Sequence, residues 1–115
     1  MMLPLSDVQF WLCTAPTDMR RSYDGLSAMV KNHLNANPLN GHAYVFINRR
    51  RTQLKCLYFE SGGYCLWGKR LEQGQFATIG TLSDGKINLT TTEFSALIEG
   101  LDLTIKKRRK RYKKS

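Results

Sequence analysis

The sequence predicts an α+β fold: an antiparallel β-sheet of four to five strands, arranged as a meander and packed with two α-helices, followed by a disordered basic C-terminal tail. Three observations carry that expectation. Runs rich in β-branched and aromatic residues fill positions 43 to 71, broken only by short turn-forming segments. Apolar residues recur at spacings of three and four in two places, before and after those runs. Finally, eight residues between Lys106 and Lys114 are basic, and the only other side chain among them is Tyr112.

Each element follows from its own residues. Val8, Phe10 and Leu12 alternate with Gln9, Trp11 and Cys13 as the two faces of a first strand, which Pro16 ends. Thr17, Asp18 or Ser22 is placed to cap a helix whose apolar stripe is Tyr23, Leu26, Met29, Val30 and Leu34. Gly25 lies inside that helix, which points to a close approach by another backbone or to an initial turn that is not fully helical. Asn35-Ala36-Asn37-Pro38 stops it, because the residue before a proline is pushed out of the helical region.

Three strands come next: Ala43 to Asn48, Gln53 to Glu60 and Tyr64 to Leu71. A hairpin centred between Arg50 and Arg51 sets Tyr44 opposite Leu57 and Val45 opposite Cys56. A two-residue loop at Gly62-Gly63 sets Tyr58 opposite Trp67 and Phe59 opposite Leu66. One face of this sheet then carries Ala43, Val45, Ile47, Leu54, Cys56, Tyr58 and Trp67, and the other Tyr44, Phe46, Leu57, Phe59 and Leu66, edged by Lys55 and Arg70. Both faces are apolar, so a single covering helix is insufficient: the second face needs another helix, a partner chain or a ligand. Ala77 to Leu82 is a candidate strand, Ser83-Asp84-Gly85-Lys86 a turn, and Ile87 and Leu89 a short last strand. Thr90 and Glu93 form a capping box ahead of Phe94, Leu97, Ile98 and Leu101, a second helix that Gly100 is placed to end.

The 115 residues suit one domain. Residues 1–105 are expected to form it, and residues 106–115 the tail. No apolar run reaches the ~18 residues that a membrane span requires, no secretion signal is evident at the N-terminus, and three cysteines without C-x-x-C spacing argue against a disulfide framework. A bacterial cytoplasmic location fits, with nucleoid association if DNA is bound. Net charge is +9. Outside the tail, ten Lys and Arg face nine acids, so the tail carries most of the basicity. Such a block cannot bury apolar surface, and its natural counter-charge is nucleic acid.

Little in the chain points to catalysis. His33 and His42 stand at no metal-ligand spacing from a cysteine or carboxylate, and no glycine-rich phosphate loop is present. The sequence therefore calls for no metal, no cofactor and no catalytic residue. Asp18, Asp24 and Glu60 are the carboxylates available to gather a metal pair, but helix capping, dipole pairing and a turn-flanking role explain them more simply. The basic residues of the meander are more telling. From Gly41 to Phe76 six of them, Arg49, Arg50, Arg51, Lys55, Lys69 and Arg70, meet only Glu60 and Glu72. Guanidinium forks at a hairpin tip suit phosphate contact. With Lys106, Lys107, Arg108, Arg109, Lys110 and Arg111 of the tail, they are the expected nucleic-acid-binding set.

The motifs Pro16-Thr17-Asp18-Met19-Arg20-Arg21, Asp24-Gly25-Leu26, Asn37-Pro38 with Gly41, Val45-Phe46, Asn48-Arg49-Arg50-Arg51, Lys55, Leu66-Trp67, Lys69-Arg70-Leu71-Glu72 and Gly74-Gln75-Phe76 occur in order. On these residues the chain resembles the TnpB-type accessory protein, the second open reading frame product of bacterial insertion-sequence family sixty-six transposons. The resemblance covers roughly residues 8 to 76, with Gly68 standing where a bulky aromatic is usual. It implies a non-catalytic auxiliary in DNA transposition, acting beside a separate transposase, and it supplies no catalytic residues. DNA and the transposase are the expected partners, with self-association through the second sheet face as a further expectation. The competing functions are a protein–protein adaptor that never touches DNA and a small metal-dependent nuclease built on Asp18, Asp24 and Glu60.

Overall fold

The computed structural model describes residues 8–77 and 85–100. Its elements are β1 (Phe10–Cys13), α1 (Tyr23–Asn32), β2 (Ala43–Ile47), β3 (Gln53–Glu60), β4 (Gly63–Arg70), β5 (Lys86–Leu89) and α2 (Thr91–Ile98). The five strands form one sheet in the order β4-β3-β2-β1-β5. The α+β class and both helices are as expected. Most of the strand expected at Ala77 to Leu82, Ser83 and Asp84 of the expected turn, Leu101 and the tail lie outside the described residues.

The sheet is mixed rather than wholly antiparallel. β1 runs parallel to β2, with Phe10 beside Ala43 and Leu12 beside Val45, while β5 is antiparallel to β1. The cause is the segment between them: parallel neighbours need a crossover of a dozen or more residues, and α1 with its flanking loops supplies it. β2, β3 and β4 form the expected meander, and Tyr44 opposite Leu57 and Val45 opposite Cys56 match the expected register.

The second hairpin differs. Tyr58 pairs with Cys65 and Phe59 with Tyr64, because the turn is Ser61-Gly62 and Gly63 already belongs to β4. Both turn residues have positive φ, 52° and 82°, the pattern of a two-residue hairpin whose twist matches the strands. The pairing shifts by two residues, and since side chains alternate with period two, every residue keeps its expected face.

Each face has its helix. On one side Leu26, Met29 and Val30 of α1, with Leu34, pack on Tyr44, Phe46 and Leu57. On the other, Phe94, Leu97 and Ile98 of α2 join Phe10, Val45, Leu54 and Cys56, with Phe76 closing the cluster. Phe94 stacks on Phe10 at 4.1 Å between ring centroids. The sheet is therefore the middle of three layers. Apolar side chains remain half-exposed toward the β3–β4 turn, among them Tyr58, Phe59, Tyr64, Leu66 and Trp67.

The helix ends show what the residues do. Thr90 caps α2: its side chain accepts from the Glu93 N–H, while the Glu93 carboxylate accepts from the Thr90 N–H at 2.8 Å. Gly100, at φ 80°, ends that helix as expected. α1 departs from expectation at both ends. Ser22 occupies its N-cap position without a side-chain cap bond, neither Thr17 nor Asp18 caps it, and Tyr23 points to solvent instead of joining the stripe. At its C-terminal end the chain turns at Asn35, φ 52°, before Pro38 is reached. Asparagine tolerates that conformation better than most residues.

Candidate nucleic-acid interface

Because β1 and β2 are adjacent and parallel, their carboxyl ends open on the same side, and the chain leaving each end builds a cleft. In open sheets with parallel strands such a crevice is the usual place for a ligand. After β1, Thr17 is buried and its N–H donates to the Ile47 carbonyl at 2.9 Å, which extends the parallel contact beyond the strands. The loop then carries Asp18, Met19, Arg20 and Arg21 into α1. After β2, Asn48 organises the arginine turn: its Oδ1 accepts from the N–H groups of Thr52 at 2.9 Å and Gln53 at 3.0 Å, and Arg51 closes the turn with φ 59°. Arg49 and Arg50 are left exposed at the tip.

The two loops border an open cleft of about 940 Å³, lined by Cys13, by Ala15 to Arg21, by Met29, His33 and Leu34 from α1 and the residues after it, by Asn48, Arg49, Arg50 and Gln53, and by Gly85. Four arginines and one acid, Asp18, line it. Asp18 is committed to Arg20, whose Nη2 lies 2.6 Å from its Oδ2 and whose Nε donates to both carboxylate oxygens. The Arg20 side-chain hydrogen bonds, then its backbone N–H, hold the Asp18 carboxyl down at about 2, and the carboxylate in turn raises the Arg20 guanidinium. This pair positions Arg20 and leaves Arg21, Arg49 and Arg50 without a carboxylate partner among the described residues. Gly25 makes room for Arg21: a Cβ on it would come within 3.2 Å of the Arg21 Cβ, so the neighbour is a side chain and not the backbone expected there.

The six expected basic residues of the meander do not form one patch. Arg49 and Arg50 are in the cleft. Arg51 is half-buried, its Nε donating to the Phe76 carbonyl and its Nη2 to Gln75 Oε1, both at 3.2 Å, so it ties down the chain after β4. Lys55 donates from Nζ to the carbonyls of Met19 at 2.8 Å and Arg21 at 2.9 Å, clamping the cleft loop to β3. Lys69 is on the α2 face and donates to the Ile98 carbonyl at 2.5 Å. Arg70 is exposed beside Glu72 at 3.4 Å. Lys106 to Arg111 lie outside the described residues. Arg20 and Arg21 went unselected by sequence reasoning. The available signal was their place immediately after a strand and before a helix, in a strand–helix–strand unit.

Asp18, Asp24 and Glu60 are not gathered as metal ligands. Asp18 faces Arg20, Asp24 is in the first turn of α1, and Glu60 ends β3 beside the Ser61-Gly62 turn. Among the described residues no three His, Cys, Asp or Glu side chains are grouped to hold a metal ion. Cys13, Cys56 and Cys65 are unpaired thiols. Burial pushes Cys56 up to about 12 and also raises Cys13. No helix among the described residues is long and apolar enough to cross a membrane.

Fold and site together define a class: a small three-layer α+β protein with an arginine-lined cleft at the carboxyl ends of a parallel strand pair. The family model described as IS66 Orf2 like protein matches residues 8–108, and the chain belongs to that family. Membership associates it with transposition as an accessory protein. It is 37% identical over 106 residues to uncharacterized protein y4jC of Sinorhizobium fredii, covering 92% of this chain and 90% of that one. It is 35% identical over 102 residues to uncharacterized protein y4hO of the same organism, covering 88% of each. No solved structure matches the chain.

Proposed function

We propose that the protein is a non-catalytic accessory of transposition that binds DNA through the arginine-lined cleft, beside a separate transposase, with the basic tail adding salt-sensitive affinity. The observation that carries this reading is the meeting of Arg20 and Arg21 with Arg49 and Arg50 across one cleft, from segments almost thirty residues apart in the chain. Guanidinium groups without carboxylate partners are suited to phosphate oxygens, and releasing the counterions held by DNA supplies the free energy. The adaptor reading needs an open apolar sheet face. A helix packs on each side of the central strands and leaves only the half-exposed side chains toward the β3–β4 turn uncovered among the described residues, which favours the DNA reading.

The test is a salt titration of DNA binding by the full chain, by the Arg49→Ala/Arg50→Ala variant and by a chain ending at Ile105. Each lost phosphate contact lowers the slope of log Kobs against log salt by about 0.9 on a duplex and about 0.7 on a single strand, so the double variant should lose about 1.4 to 2 units. Tail removal should flatten the slope further. Absence of binding at low salt by the full chain overturns the proposal.

A further inference from the structure

We infer that the cleft receives an unpaired DNA nucleotide, its phosphate on the arginines and its base inside, rather than the closed backbone of a duplex. This rests on the DNA-binding reading above and specifies the form of DNA. The first ground is shape. A cleft of about 940 Å³ is at the upper end of the ~300–1,000 Å³ of sites that enclose small molecules. Duplex DNA is met by convex elements, a helix or a two-stranded ribbon entering a groove, and it offers a concave protein surface only phosphates and sugars. A cavity of this size would stay unfilled against it.

The second ground is the lining. Arg21, Arg49 and Arg50 provide charge, but Pro16 is exposed and Met19 half-exposed in the same cleft, and neither has anything to offer a phosphate. They offer apolar surface to the face of a base by van der Waals contact; no Phe, Tyr or Trp lines the cleft, so aromatic stacking is not part of the site. The third is Gln53. Its half-buried amide lines the cleft and has no hydrogen-bond partner among the described residues, whereas the neighbouring Asn48 amide is spent on its own turn. An amide presents both donor and acceptor, which matches the edge of a base left unpaired and not the acceptor-only phosphate.

The experiment is fluorescence anisotropy with the full chain at about 0.15 M salt, comparing an oligothymidine of about twelve nucleotides, within the span of known single-strand sites, with a duplex of equal length. The tail contributes to both and more to the duplex, whose charge density is higher, so a preference for single strand reports the cleft and not the tail. Single strand should bind roughly tenfold tighter, and deoxyadenosine monophosphate should compete with it. Ala15→Trp, which fills the cleft from an exposed position, should remove that preference while changing duplex affinity less than about twofold, as should Gln53→Leu, which keeps the volume and removes the amide. Thermal melts of both variants confirm that they fold, and the wild-type competition stands independently of either. Duplex binding equal to or tighter than single strand, unaffected by mononucleotide, overturns the inference and leaves the DNA reading standing. Failure of both DNAs to bind overturns the two together.

Discussion

Lys55 separates two meanings of a basic residue. As a phosphate contact it would matter to DNA and not to folding; as the clamp on the Met19–Arg21 loop it matters to folding first. In Lys55→Met both carbonyls, Met19 at 2.8 Å and Arg21 at 2.9 Å, lose a charged donor. A hydrogen bond to a charged group contributes about 1.5–3 kcal/mol, but Lys55 is half-exposed and water can replace part of it, so the two together are worth about 2 kcal/mol. In a domain of this size 1 kcal/mol moves Tm by about 4 °C, giving a fall of about 8 °C by calorimetry. DNA affinity should weaken, and the salt slope fall with it, because Arg20 and Arg21 are no longer held in place for phosphate contact. A Tm within about 2 °C of wild type, together with a slope lower by about 0.9, would mean that Lys55 neutralises a phosphate and that the clamp is incidental.

Three further outcomes follow from the same geometry. Thr90→Ala removes one half of the capping box and should cost about 1 kcal/mol, read as a fall in urea midpoint without a change in m. Lys69→Met takes a cation from the carboxyl end of α2 and should lower stability by about 1 kcal/mol while leaving the DNA salt slope intact. Cys56, held protonated by burial up to about 12 against 9.0 when exposed, contributes stability that is fully present below pH 9 and lost as pH rises toward 12. Urea midpoints should therefore decline across that window, and at pH 8 a thiol reagent should modify half-exposed Cys65 well before Cys56.

Strand and helix positions were legible in the sequence where pattern alone decides them. The Thr90–Glu93 box, the stripe Phe94–Leu97–Ile98 and the β-branched and aromatic runs of β2 and β3 are local signals, and each element is where its signal stands. What pattern left open was decided by contacts distant in sequence. Ser61-Gly62 and Gly62-Gly63 are both acceptable turns, and only the pairing of β3 with β4 selects the first. The cleft was hidden for the same reason. Nothing within Met19-Arg20-Arg21 says that it will face Arg49-Arg50; that follows from β1 lying beside β2 in parallel, which in turn follows from α1 being the crossover between them.

Lysine and arginine also divide their work in a way that composition conceals. Lys55, Lys69 and Lys86 all stand on strands, and each ammonium reaches across to backbone carbonyls that end-of-element geometry leaves without a partner: the loop before α1, the last turn of α2 and, at 2.7 Å, Leu34 just past α1. A compact ammonium with three rotatable donors suits an irregular set of carbonyls. Arg21, Arg49 and Arg50 instead line the cleft, exposed and without a carboxylate partner among the described residues, and Arg20 is paired with Asp18 beside them. Charge counted along the meander therefore overstates what is available to a polyanion. The lysines stabilise the layers, and under the proposed function the arginines of the two loops are the charge left for a polyanion.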